Sequence, residues 1–440
     1  MKSAHVALLL ALGLGLSACS DSESDAEKGA GEKVEVARSS QQRDTNPELT
    51  DAERASFAAS QATFAVDLYR AVAEDPDHAG KDLFLSPHSV STALAMTYAG
   101  ARGENAAEMR EALRFDLPDD RIHVAFNALD LALESRGEGA DGADGEPFRL
   151  SVTNSIWGQK GAPFEAPYLD TLARNYGAGL NLVDFVNETE ASRRAINAWV
   201  EEQTEKRIKD LLPSGAIRPT TRLVLTNAVY FNAAWSTPFE PSLTRAEPFT
   251  KIDGASTDVQ MMVSSESRRY ARGDGYEAVE LPYQGYELSM LVIAPEVGSF
   301  ATFESALTGG KVLDILAGLE QKEVLLHFPK LEIEMDAPIS LVDPLKSLGM
   351  VQAFDGGDFS GISATMPLSV SDVLHKTFLK IDEKGTEAAA ATAVVFDESA
   401  AADPPESIEV KVDRPFFTAI VDRQTKAIVF FGRILEPRVK

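Results

Sequence analysis

Glu383-Lys-Gly-Thr-Glu-Ala-Ala-Ala-Ala-Thr-Ala-Val-Val-Phe-Asp-Glu-Ser399 is the stretch whose reading decides the fold. It follows an apolar, strand-like run, Leu374–Ile381, and leads into an acidic loop that ends near Pro405. Exposed loops set their turns with Gly, Pro, Asn and Asp. Between Thr386 and Ser399 there is no Gly, Pro or Asn. Small and β-capable side chains fill the stretch instead. In alternation, Thr386, Ala388, Ala390, Thr392, Val394 and Phe396 face one side, suited to a core. Glu387, Ala389, Ala391, Ala393, Val395 and Asp397 face the other. The segment reads as a strand not yet in a sheet. The same residues also allow an Ala-rich helix, because Ala is the best helix former.

The chain around it has 440 residues, is 44% hydrophobic and carries a formal net charge of -26. A large core is affordable. The acidic surface speaks against nucleic acid, since phosphate binding needs clustered Lys and Arg. It also offers no basic patch for anionic lipids or a heparin-like polyanion, so no cofactor is expected. Solubility alone accounts for such a charge.

The N-terminus reads as a targeting signal. Lys2 precedes an apolar run, Val6 to Leu16, too short to span a bilayer comfortably. Leu16-Ser17-Ala18-Cys19 follows, and Cys19 is the only cysteine. This arrangement resembles a bacterial lipoprotein processing site. The resemblance implies a signal peptide over 1–18 and lipidation of Cys19. Ser20, being other than Asp, then favours the outer membrane and an extracytoplasmic location. An ordinary secretory signal that happens to contain Cys is the alternative. A single Cys excludes intramolecular disulfides. Residues 19–55 hold few large apolar side chains over most of their length and read as a flexible tether.

From 56 to 440 the pattern is that of one α+β domain with no internal repeat. Phe57, Phe64, Leu68 and Tyr69 form a helical stripe. Ser86-Pro87 starts a second helix, which stops near Gly100. Met109–Leu113, Ile122–Leu133 and Ala191–Leu212 read as further helices. Phe148–Ile156, Leu223–Phe231, Leu288–Ala294, Val324–Phe328, Leu331–Met335, Ile408–Val412, Phe416–Val421 and Ile428–Phe431 read as strands. The acidic, glycine-rich stretch 137–147 reads as a loop whose spacing fits no calcium-binding hand.

Enzyme chemistry is hard to find. Six histidines occur without a zinc motif. Gly361-Ile-Ser-Ala-Thr fails the nucleophile-elbow pattern, and no phosphate-binding loop is present. A triad of Ser86, Ser89 or Ser399 with His375 stays open on sequence alone. A satisfied polar cluster in the core explains Ser86, Ser89, Asn227 and His375 at least as well.

Several blocks then carry a family resemblance: Asp82-Leu-Phe-Leu-Ser-Pro-His-Ser-Val-Ser-Thr-Ala-Leu-Ala-Met96, Asn197-Ala-Trp-Val200, Leu223-Val-Leu-Thr-Asn-Ala-Val-Tyr-Phe231, Trp235 with Pro238-Phe239, His375-Lys376, Ile381-Asp-Glu-Lys-Gly-Thr-Glu, Arg414-Pro-Phe416 and Phe430-Phe-Gly-Arg433. In this order they resemble the serpins. The resemblance implies a single domain with the serpin fold: three β-sheets, eight or nine helices and an exposed reactive loop. It implies a monomer that inhibits a serine protease, or in some cases a cysteine protease. The loop is cut, an acyl-enzyme forms, and the loop inserts into the main sheet before deacylation.

The same resemblance assigns residues. Glu383, Gly385, Thr386, Glu387, Ala388, Ala389, Ala390, Ala391 and Thr392 form the hinge, with Gly385 permitting a backbone turn. Lys330 pairs with Glu383 in the breach, beside Trp235. Ser86, Ser89, Asn227 and His375 form the shutter. The usual spacing puts the reactive bond between Ser399 and Ala400, although the segment before Arg414 is a few residues long and leaves the cut open by several positions. A small residue there, with no Arg or Lys nearby, suits elastase-like or subtilisin-like proteases. A non-inhibitory, binding or chaperone-like serpin is the alternative, and the permissive hinge argues against it.

Overall fold

A computed structural model describes residues 34–335, 337–386 and 407–439. Cys19, Glu387–Thr392, Ser399 and Ala400 lie outside the described residues. Within them are helices α1 (Asp51–Ala73), α2 (Pro87–Tyr98), α3 (Gly103–Ala112), α4 (Asp119–Glu134), α5 (Ala166–Tyr176), α6 (Thr189–Gln203), α7 (Phe300–Ala306), α8 (Gly309–Ala317) and α9 (Val342–Ser347). The strands are β1 (Glu35–Ala37), β2 (Leu83–Leu85), β3 (Arg149–Gln159), β4 (Leu180–Val183), β5 (Leu223–Ala234), β6 (Arg245–Thr250), β7 (Ser256–Gly273), β8 (Tyr276–Pro282), β9 (Leu288–Pro295), β10 (Glu320–Pro329), β11 (Leu331–Glu334), β12 (Ile339–Ser340), β13 (Val373–Ile381), β14 (Gly385–Thr386), β15 (Ile408–Lys411), β16 (Phe416–Asp422) and β17 (Ile428–Ile434).

The main sheet has eight strands in the order β1-β4-β3-β5-β14-β13-β11, with β12 also on β13. A second network has nine: β15-β10-β7-β8-β9-β16-β17-β2, with β6 on β7. The three sheets implied by the serpin resemblance thus appear as two hydrogen-bonded networks. The reason is β7, which is long enough to serve two of them. Its first residues, 256–261, pair with β6, and residues 269–273 pair with β8. Met261 and Arg269 each pair with β10 as well. So β6 and β8 lie along one edge of β7, and β10 lies along the other.

Burial explains the strand composition. Every residue of β5 is buried, so it reads as a continuous apolar run rather than an alternating one. Leu223, Leu225, Val229, Phe231 and Ala233 face the main core. Val224 and Ala228 face a smaller core under α6, with Trp157, Ile196, Val200 and Ile208. α2 is buried along its whole length behind the main sheet. Ser86 caps it, and Pro87 occupies the first turn, where a missing N–H is harmless.

Two expectations change. The domain begins well before residue 56. β1 adds an edge strand to β4, and Thr50 opens α1 with a capping box to Glu53. Arg43 donates to Asn127 at 2.9 Å, to Glu134 at 2.8 Å and to Asp130 at 2.5 Å. Polar composition hid this segment, because a strand pairing and ion pairs hold it, with only Val34, Ala37 and Leu49 packed against the cores. The helix expected over Ala191–Leu212 stops at Gln203. Glu205 and Lys206 adopt left-handed backbone conformations, which an α-helix cannot contain. Ile208, Leu211 and Leu212 still pack into the small core, so the apolar signal was real but not helical.

Candidate functional site: the opening of the main sheet

β5 and β13 are parallel neighbours over five rows, from Leu225/Val373 to Val229/Thr377. Above these rows the strands part. Gly385–Thr386 enters the gap from the top as β14, antiparallel to both, with Thr386 opposite Ala233 on one side and Ile381 on the other. The sheet is closed at its centre and wedged at its upper end.

The wedge is gripped by its surroundings. Trp235 donates its main-chain N–H to the carbonyl of Lys384 at 2.8 Å and its indole N–H to that of Asp382 at 2.9 Å. Phe239 donates to the carbonyl of Glu383 at 2.8 Å. Lys330 Nζ donates to Glu383 Oε2 at 2.7 Å, and the Thr244 hydroxyl to Oε1 at 2.8 Å. Burial pushes the Glu383 carboxyl up, but the Lys330 hydrogen bond leads a set of interactions that hold it below the usual carboxylate range. Thr386 is 1% exposed. Its hydroxyl shares a 2.7 Å hydrogen bond with the Tyr283 hydroxyl, and Tyr283 stacks on Trp235 at 4.7 Å.

Gly385 is required here for a reason other than a turn. It is not among the residues with positive φ. A Cβ at this position would lie 2.1 Å from the Ala233 carbonyl oxygen and 2.9 Å from Ala143 Cβ. Close approach, not torsional freedom, selects glycine. Ala143 belongs to the acidic 137–147 loop. That loop caps the top of β5: Ala234 donates to the Asp141 carbonyl at 3.1 Å, and Ala143 donates to Asn232 Oδ1 at 2.7 Å. In the sequence it reads only as an acidic, glycine-rich loop. Its buried alanines, Ala140 and Ala143, were the available signal.

The polar cluster lies across the closed rows. Asn227 is opposite Asn154 on β3 and opposite His375 on β13. His375 Nδ1 lies 2.5 Å from Asn227 Oδ1, and Nε2 accepts the Ser86 main-chain N–H at 3.0 Å. These partners fix a neutral imidazole with its proton on Nδ1. Burial drives His375 down to about 3. Asn227 Nδ2 donates to Asn154 Oδ1 at 2.7 Å and also to the Ser89 hydroxyl, which donates to Asn154 Oδ1 at 2.6 Å. Asn154 was missed in the sequence, where a lone Asn in an alternating strand carries no special signal.

The Ser86 hydroxyl donates to the Val429 carbonyl at 2.8 Å and not to His375. Both imidazole nitrogens are engaged, and neither meets a carboxylate. His375 is therefore not placed as a general base for Ser86 or Ser89. The cluster ties β3, β5, β13 and the start of α2 together.

Residues 59–437 match the family model described as Serpin (serine protease inhibitor). The chain is a serpin. It is 40% identical over 376 residues to an uncharacterized serpin-like protein of Thermococcus kodakarensis, covering 86% of this chain and 84% of that one. It is 35% identical over 404 residues to human antithrombin-III, covering 90% and 84%. Among solved structures, the thermophilic serpin tengpin in its native state matches with a TM-score of 0.78 at 30% identity, over 92% of this chain and all of that one. This serpin thus belongs to a family made up mostly of protease inhibitors.

Proposed function

We propose that this serpin inhibits serine proteases as a suicide substrate. The observation that carries the reading is β14, a two-residue strand seated between β5 and β13 above the five rows where those strands pair directly. Its register extends naturally. Continued from Thr386, each further residue falls opposite the next residue down β5 and β13, and Thr392 arrives opposite both Asn227 and His375. Ala388, Ala390, Val394 and Phe396 then fall opposite Phe231, Val229, Leu225 and Leu223, all on the main-core face. Small side chains at the first of these let the gap open by little at each step.

In the proposed reaction the protease serine attacks the carbonyl of Ser399. An acyl ester forms, and the amine of Ala400 departs with the downstream chain. The freed segment zips into the sheet, gaining ladder hydrogen bonds and apolar burial. The acyl-enzyme is carried along and deformed before water can release it. The native state is held by a barrier, with the cluster around Asn227 and His375 as part of it.

The test is incubation of the full chain with elastase-like and subtilisin-like proteases. An SDS-resistant adduct and a released fragment beginning at or within a few residues of Ala400 are expected. Complete turnover with an active protease overturns the reading and favours a non-inhibitory serpin. We further propose that Cys19 is lipidated and anchors the domain to the bacterial outer membrane. Incorporation of labelled palmitate, lost in Cys19→Ser, tests this.

A further inference from the structure

The fork in the second network leaves a buried cation without a full set of partners. β6 leaves β7 at Met261, and β8 joins the same edge at Arg269. Between them, residues 262–268 have no strand on that edge among the described residues. The chain from Trp235 to Phe239 and the turn from Leu281 to Tyr286 cover this bare stretch incompletely. A cavity of about 70 Å³ remains, lined by Arg268, Phe239, Trp235, Ser236, Thr237 and Glu266, among others. Tyr286, at its rim, is 59% exposed.

Arg268 is only 5% exposed. Nη2 donates to the Ser264 hydroxyl at 2.9 Å, and the guanidinium lies 5.7 Å from the centre of the Phe239 ring. Nη1 is buried and has no acceptor among the described residues. Glu266 favours the charged form through space but makes no hydrogen bond to it. Burial lowers Arg268 to about 10, with Glu266 the opposing influence. Buried charges are normally paired, and an arginine cannot escape by losing its proton at working pH. An anion held in the cavity against the guanidinium offsets this cost by its charge.

We propose that Arg268 and this cavity form a binding site for one compact monovalent anion, either a halide or the carboxylate of a small acid. Glu266 in the wall selects against polyvalent anions by repulsion. Trp235 and Phe239, which grip the hinge through the carbonyls of Lys384, Asp382 and Glu383, are walls of this cavity. The occupant therefore braces the segment that holds the hinge. The site does not depend on the inhibitor reading, because it exists before any loop is cut.

The test uses the full chain in halide-free buffer. Crystals soaked in bromide should show an anomalous peak in this cavity, against the Arg268 guanidinium. Thermal unfolding, titrated separately with bromide and with acetate at constant ionic strength, should show a saturable rise of several degrees with at least one of them. A rise with bromide alone assigns a halide, and a rise with acetate alone assigns a carboxylate. The rise should be reduced in Arg268→Lys and absent in Arg268→Gln. If Arg268→Gln does not fold, the wild-type peak and titrations decide. Water alone in the cavity, with no bromide peak and no saturable rise, overturns the proposal. So does an unchanged response in the Arg268 variants.

Discussion

Lys330 and Glu383, 53 residues apart in the chain, meet at 2.7 Å above the point where β5 and β13 separate. Lys330 is the single residue between β10 and β11, so it joins the two sheet networks. Glu383 is the last carboxylate before the wedge. One ion pair thus fixes the hinge to the corner of the scaffold.

Replacing Lys330 with Ala leaves Glu383 largely buried without its cation. The pair is mostly shielded, with side-chain exposures of 25% and 12%, so a loss of about 1–3 kcal/mol is expected. The readout is the rate of thermal inactivation, about tenfold faster for each 1.4 kcal/mol taken from the barrier. The folded Glu383 carboxyl titrates below its unfolded value. Its contribution is therefore complete above about pH 4.3 and fades as pH falls through the lower folded value. Lys330→Ala should lose that dependence.

Three shielded imidazoles, His375 and His88 buried and His123 half-buried, give a second acid response. Burial lowers His375 to about 3, and His88 and His123 to about 4. Below about pH 6.5 the unfolded chain takes up protons that the folded chain refuses. Stability should therefore fall on acidification, by up to about 1.4 kcal/mol per pH unit for each imidazole. Urea unfolding between pH 7.5 and 5 measures it; a flat profile refutes the assignment of neutral histidines.

His375→Ala removes the Asn227 contact and the acceptor for the Ser86 N–H. An unpaired buried donor costs about 1–3 kcal/mol. The variant should unfold more readily and convert sooner to an inactive form. Loss of proteolytic activity is not the expected readout, because the geometry gives His375 no role as a base.

Ala390→Asp tests the register. In the inserted strand this residue falls opposite Val229 on the core face, where a carboxylate finds no partner. The variant should be cleaved at wild-type rate and form little covalent adduct. Adduct yield equal to wild type would place the inserted strand in another register.

Arg43→Ala tests the N-terminal segment. It removes a side chain bonded to Asn127, Asp130 and Glu134. A loss of about 1–3 kcal/mol and faster proteolytic nicking within residues 34–50 are expected. Unchanged nicking would mean that β1 alone holds the segment.

Much of the site was legible because its chemistry is local. The Ser-Pro start of α2 and the apolar run of β5 each reflect one element meeting its own burial. The partners were not legible. Asn154 and Tyr283 complete the two polar clusters, yet each is an unremarkable residue in a strand or at its end. The strand β7 was missed because much of it is polar along solvent-facing positions, and its length is set by three neighbours rather than by its own pattern.

The sequence by itself determined that this protein has one α+β body and no recognisable catalytic motif. These follow from periodicity and side-chain chemistry, which short stretches carry alone. Only the tertiary structure decided that Gly385 is needed for space, that residues 34–50 belong to the domain, and that His375 is held neutral. Each depends on atoms far away in the chain: the carbonyl of Ala233, the carboxylates of α4, and the amides of Ser86 and Asn227.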